Sequence, residues 1–490
     1  MFSALAGTAR VRIHMNSPRF SFCLMLGLTS FSATLTAEEF NVQPLTTDEQ
    51  AVLGSIQVQQ VRETVSFLAS DEMNGRDTPS KELDVAANFV AARFRKAGLE
   101  GLGADGSFFQ TAEMVRTSAP AARAMLVVGA DKDVRLTVLT GTQDVLKVSG
   151  VVHDETPKNK SATVTDKANI VVIDELPLPP EAVDNPLAAL ITYVRRTLPL
   201  VRQGAKVVLV RVADDSILYD AATTLQQPVS IPMQFEPQCA IVLVSKTQAL
   251  EGEITVEVPA NVRQAIPVHN VVGVLRGSDP DAAKQAVIIS AHLDHIGPAN
   301  LGDDKVHNGA DDNASGVTAV LTLADAIAAL KDRPRRSVIF MTFWGEEKGL
   351  LGSKYFGEHP LWNLDEVVCN INLEMIGRPE ENADGKAWGT GWPHSTLGPQ
   401  MAAGAKRADV TIFHHEKFSE MLYTRSDNAS FVAKGIIAHS FSAGSLHSDY
   451  HQPSDEVEKL NLPHMTKIIQ GLLAGTLPIA RGELTPTAIP

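Results

Sequence analysis

The stretch "QAVIISAHLDH", residues 285–295, decides the fold. Its apolar, β-branched run reads as a strand buried on both faces. It ends in His292, Asp294 and His295. A strand period of two puts His292 and Asp294 on one face. Asp294 is then placed to hold the second ring nitrogen of His292, as carboxylates do for metal-bound histidines. His-x-Asp alone is weak evidence for a metal, so the surrounding sequence has to decide.

Working outward, "SGVTAVLTLADAIAAL" (315–330) has the length and composition of a buried helix. "HNVVGVLRG" (269–277), "RSVIFMTFWGEE" (336–347) and "CNINLEMIG" (369–377) read as further strands. Strand–helix–strand alternation predicts an α/β fold, a mostly parallel sheet between helical layers. In such sheets the chemistry gathers beyond the carboxyl ends of the strands. Upstream, "GSIQVQQVRETVSFLAS" (54–70) and "SKELDVAANFVAARFRKAGL" (80–99) show apolar residues at helical spacing, and "DEMNGRDTP" (71–79) is the loop between them. From 121 to 264 the texture changes to short strands such as "VVIDEL", "AKVVLVRV", "CAIVLVSK" and "GEITVEV", parted by Pro-rich turns. That pattern predicts a strand-rich module inserted into a discontinuous domain of residues 38–120 and 265–490.

The predicted strands end in metal-ligand residue types. Asp311 and Asp312 follow in "NGADDNASG", Glu346 and Glu347 in "FWGEEKGLLGS", and Glu374 in "INLEMIGR". "HSDYHQPSDE" adds His447 and His451. A His and carboxylate set without thiolate suits zinc or a similar ion, and the number of groups suits a pair. Glu374 is the odd member, because a carboxylate in an apolar strand is costly unless paired. No helical His-Glu-x-x-His signature or Gly-x-Ser-x-Gly elbow occurs.

"AHLDH", "GADDNASGV", "FWGEEKGLLGS", "NLEMIGRP", "YTRSDNASF" and "HSDYHQPSD" resemble, in order, the motifs of the secreted co-catalytic zinc aminopeptidases, whose relatives include glutamate carboxypeptidases and glutaminyl cyclases. "FLASDEMNGRDTPS" resembles the N-terminal segment of that family. "GAKVVLV" and "QPVSIPMQFE" give the insert a looser likeness to a protease-associated domain. The resemblance implies a three-layer α/β/α zinc-peptidase domain and two divalent ions, zinc first. It makes His292, Asp312, Glu347, Glu374 and His451 the metal ligands, with Asp312 bridging. Asp294 would orient His292, Glu346 would be the general base, and Tyr423 would bond the tetrahedral intermediate. Glu374 stands where most of the family has Asp, and Asn428 where it usually has His. The implied substrate is a peptide with a free N-terminus. A carboxypeptidase or dipeptidase on the same scaffold is the alternative, and Arg378 and Arg425 are the cations that would serve it. A receptor-like relative without chemistry should have lost ligands or base, and a glutaminyl cyclase should lack the two-metal set.

His295, His307, His414, His415 and His439 read as supporting, packing or surface residues rather than ligands. His447 reads as closer to the site. Asn313 and Asn428 begin Asn-Ala-Ser matches, which chance explains better than glycosylation because both fall in site segments.

The formal charge of −14 argues against a nucleic-acid partner. Arg19, the apolar run from Phe20 to Leu28 and the small residues ending at Ala37 have the layout of a cleaved signal peptide over 1–37. The run is too short to span a bilayer, which takes about 20 residues. The expectation is export to a periplasm or beyond, with no membrane span left in the mature chain. Cys239 and Cys369 would remain, and nothing in the sequence says whether they pair. The sequence is silent on oligomeric state.

Overall fold

Eight strands carry the site: β1 (Phe109–Ser118), β2 (Val262–Leu275), β3 (Ala286–His292), β4 (Ser337–Phe343), β5 (Val367–Leu373), β6 (Lys386–Gly389), β7 (Thr411–His414) and β8 (Ala438–Ser442). The coordinates are a computed structural model that describes residues 40–489, apart from 300–303, 445 and short stretches between 119 and 261. The signal peptide expected over 1–37 lies outside the described residues. The sheet order is β1-β2-β4-β3-β5-β8-β6-β7. The four central strands pair in parallel, and the pairs β1–β2, β2–β4 and β6–β8 are antiparallel.

Every residue of β3 and β4 is buried, which is why both read as unbroken apolar runs. Alternate residues serve two cores. Val287, Ile289 and Ala291 pack with the buried faces of helices Val58–Leu68, Gly316–Ala328 and Leu462–Ala480. Ile288, Ile339 and Met341 pack on the opposite face with Phe356 of helix Leu351–Glu358 and Phe431 of helix Asn428–Val432. The result is the three-layer α/β/α arrangement that the sequence predicts.

The chain leaves β3 for β4 on one side and then crosses back to β5 on the other. The strand order therefore reverses at β3, and a crevice opens beyond its carboxyl end. His292 is the last residue of that strand.

Two smaller sheets lie between β1 and β2 in the chain. A five-stranded sheet includes Ile170–Asp174, Val207–Val212 and Ala240–Ser245, and a four-stranded one includes Met125–Val128, Leu146–Val151 and Glu253–Val258. One face of the larger sheet packs on the smaller sheet through Val172, Leu209, Val242 and Val256. The other buries Tyr193 and Leu200 of helix Pro186–Arg202. The assignment of all of 121–264 to the insert needs two corrections. Val229–Pro232 pairs with β1 at the edge of the central sheet, and β2 starts at Val262, not near 268. Cys239 and Cys369 are both buried and unpaired, and they sit in different cores. Among the described residues no helix is long and apolar enough to cross a membrane.

Candidate metal centre

His292 Nδ1 donates to the backbone carbonyl of Asp294 at 3.0 Å. This bond holds the ring and turns Nε2 toward the carboxylates. Nε2 lies 3.2 Å from Asp312 Oδ1 and 3.1 Å from Glu374 Oε1. On the other side, His451 Nε2 lies 3.2 Å from both Asp312 Oδ2 and Glu347 Oε2. Asp312 thus turns one oxygen toward each set.

His451 Nε2 makes no hydrogen bond to either carboxylate despite the short distances. Imidazole nitrogens and carboxylate oxygens that converge in this way are what a cation site requires. Tetrahedral coordination with bonds of about 2.0–2.1 Å would hold ligand atoms about 3.3 Å apart, close to the spacing found here. The donor set therefore fits two divalent ions that share Asp312.

His295, Asp312 and Glu347 also form a compact group. His295 Nδ1 donates to Glu347 Oε1 at 2.9 Å, so its proton occupies the nitrogen that faces the group. His295 thus holds Glu347, whereas His451 Nε2 faces Asp312 and Glu347 at equal distance.

Asp294 is fully buried, but its carboxylate is 3.8 Å from His292 Nδ1. It accepts instead from the backbone N–H of Glu346 at 3.1 Å. Asp294, expected to orient His292 by its carboxylate, meets Nδ1 through its backbone carbonyl instead, because β3 ends at His292 and strand alternation no longer applies beyond it. Burial pushes Asp294 up to about 6, against the pull of His292. Burial also drives Glu346 well above the usual carboxylate range, again opposed by His292.

Glu374 reaches the first set from the turn beyond β5. Its Oε2 accepts from Ser426 Oγ at 2.6 Å, which aims Oε1 at His292. Asp311 stays out of both sets, accepting from the N–H of Gly377 at 2.7 Å and facing His447 Nε2 at 3.1 Å. Asp455 accepts from the N–H groups of Asp311 and Asp312, each at 3.1 Å, and so fixes the turn that presents the bridging carboxylate. Gly309 makes that turn possible: at φ +57 a Cβ would strike Asp312 O and the His295 ring.

The cavity beside the cluster, about 80 Å³, is lined by His292, Asp312, Glu346 and Glu374 on one side. Met375, Trp388, Leu422 and Leu446 form apolar walls, with Arg425 and Tyr450 also lining it. Tyr423 is not brought into this set. Its ring stacks on His394 at 4.6 Å, while Tyr450 stacks on His451 at 3.9 Å and lines the cavity. Tyr450, adjacent to His451 in the sequence, lines the cavity where Tyr423 was expected. Sequence reasoning also missed Ser426 and Asp455, although both lie inside motifs it singled out.

Residues 270–476 match the sequence model of peptidase family M28. This segment is similar to the peptidase domain of that family. Within the curated proteins, an aminopeptidase of Pseudomonas aeruginosa is 29% identical over 217 residues, covering 42% of this chain and 36% of the relative. The chain thus spans about a third of that relative's length. Aminopeptidase YwaD of Bacillus subtilis is 23% identical over 319 residues, covering 61% of this chain and 62% of its own. The solved aminopeptidase from Aneurinibacillus sp. strain AM-1 superposes with a TM-score of 0.49 at 19% identity, over 88% of this chain and 96% of that one. Within the matched residues lie His292, Asp312, Glu346, Glu347, Glu374 and His451.

Proposed function

We propose that the chain is a metallo-aminopeptidase that removes N-terminal residues from peptides. Two divalent ions, zinc first, would be held by His292, Asp312 and Glu374 on one side and by Asp312, Glu347 and His451 on the other. The observation that carries this is Asp312, whose two oxygens face two separate convergent sets beside Glu346. The family match and the names of the relatives support it.

When bound, such a pair lowers the pKa of water and polarises a carbonyl oxygen. Glu346 does the proton work. Its raised affinity for a proton suits a group that takes one from the attacking water and delivers it to the leaving amine nitrogen. The bond from Glu346 N–H to Asp294 fixes the base relative to β3. The carboxylates of Glu346 and Glu374 give a substrate α-ammonium a place to dock, and the apolar walls take the first side chain.

Arg425 supports a narrower reading. Arg378 is held by Asp449 at 2.7 Å and faces His447 at 3.2 Å, so it is not free for substrate. Arg425 lines the cavity and pairs with no acid among the described residues. A dipeptide carboxylate would find it there, which is the dipeptidase alternative.

The deciding experiment counts bound metal per chain. It then compares aminoacyl-anilides with their N-acetylated forms, with and without chelator. The expected result is cleavage that needs both the metal and the free amine. Equal cleavage of blocked substrates would overturn the aminopeptidase reading, and dependence on a free C-terminal carboxylate would favour the dipeptidase. Export is proposed on the N-terminal pattern alone, and N-terminal sequencing of the mature protein tests it.

A further inference from the structure

Arg76 is a buried arginine in the loop between two N-terminal helices, over 200 residues from the metal cluster in sequence. Its side chain is 1% exposed. Nε donates to Leu293 O at 2.9 Å, Nη1 to Asn308 O at 2.9 Å and to Leu68 O, and Nη2 to Gly309 O at 3.2 Å. All four acceptors are backbone carbonyls. Among the described residues no carboxylate comes within ion-pair distance of it.

The acceptors are not arbitrary. Leu293 lies between His292 and Asp294, and Asn308 and Gly309 open the turn that presents Asp312. One planar guanidinium thus grips both segments at fixed angles, which a lysine ammonium cannot do. The loop is shaped for the task. Asn74, Gly75 and Arg76 all have positive φ, at 44, 67 and 48. A Cβ on Gly75 would lie 2.5 Å from His307 O and 2.8 Å from Gly297 Cα. The same loop reaches the third ligand segment, where Thr78 Oγ1 accepts from Gly345 N–H at 3.1 Å and Asp77 pairs with Lys348 at 2.8 Å.

We propose that Arg76 is a positioning residue for the metal centre, clamping the His292 segment to the turn that carries Asp312, the carboxylate common to both halves. It touches neither metal nor substrate. The proposal rests on the two-ion reading given above. Its cation also lies among Asp294, Asp312, Asp455 and Glu347, whose charges oppose the loss of its proton on burial. Charge and geometry make different predictions, and substitution separates them.

The test is zinc titration of metal-free protein by chelator competition, for the wild type, Arg76→Lys and Arg76→Met. Leu472→Ala, in a core helix, serves as a destabilised control. The expected result is zinc affinity weaker by at least about tenfold at both halves in Arg76→Lys, as for lost supports of metal ligands. The control should lose thermal stability and keep its affinity. If Arg76→Met does not fold, Arg76→Lys decides, with Gly75→Ala as a second variant that keeps the guanidinium but displaces the loop. Wild-type affinity in Arg76→Lys, or a loss matched by the control, would overturn the proposal and leave the two-ion reading standing. A wild-type chain that takes up no zinc would overturn both.

Discussion

The two halves of the proposed centre are built differently. His292 is the last residue of β3, only 1% exposed, with its ring held by a carbonyl two residues on. Its partner Glu374 follows β5 directly and is clamped by Ser426. In the other half, Glu347 lies beyond the end of β4 and is held by His295, and His451 comes from a loop with positive φ and is 35% exposed at its side chain. One half is thus framed by the sheet, and the other is half frame and half loop. The sheet-framed half should hold its ion more rigidly, whereas the loop half should be the one to open. Asp312 belongs to both, which makes its backbone supports, Asp455 above all, common to the two.

Breaking the chemistry that joins the halves should have the largest effect. Glu346→Gln keeps the shape and removes the base. Turnover should fall by about 10²–10⁴-fold while both ions stay bound. Metal content and single-turnover rates check this, and full activity would remove Glu346 from the mechanism.

The supports of each half come next. Ser426→Ala should weaken the His292–Glu374 ion by about 10–100-fold, and His295→Gln should do the same to the Glu347–His451 ion. Each should leave the other half within a few-fold of wild type. Stepwise zinc titration reads both constants, and equal loss at both halves in either variant would mean that the halves are one unit.

Metal removal should invert the response to pH. Burial pushes Asp427 and Asp455 up to about 7. Their folded values lie above their unfolded ones, so their protonated forms stabilise the fold, and that contribution is lost as pH rises through about 7. The chelated protein should therefore melt at lower temperature at about pH 8 than at about pH 6. Zinc should reverse the trend, because the metal displaces protons from its ligands and binds better at higher pH. Melting curves at the two pH values, with and without chelator, test the sign.

The smallest effect is expected at the thiols. Burial lifts Cys239 and Cys369 to about 12 and they lie in separate cores, so a reductant should not change the melting temperature.

The halves also differ in how far the sequence displayed them. An apolar strand that ends abruptly in His292, Glu346 or Glu374 is visible because burial and charge conflict there, and periodicity marks where the strand stops. That same conflict exposed Glu374 as needing a partner. The loop side offered no such contrast. Tyr450 and Tyr423 both stand near motif residues, and only packing shows which one lines the cavity. Asp455 and Ser426 act through hydrogen bonds to segments 143 and 52 residues away, and Arg76 through one to a carbonyl 217 residues away. Contacts of that kind depend on how the chain closes on itself, which composition and spacing do not encode. The edge strand Val229–Pro232 escaped for the same reason, since most of the insert separates it from its partner β1.

The most direct test is the anomalous diffraction of zinc-loaded crystals. Two peaks about 3.5–4 Å apart are expected, with Asp312 between them. A Glu374 oxygen should lie about 2.0–2.2 Å from the ion nearer His292. A single peak, or Glu374 oxygens more than about 3.5 Å from any ion, well outside such bond lengths, would contradict the proposed centre.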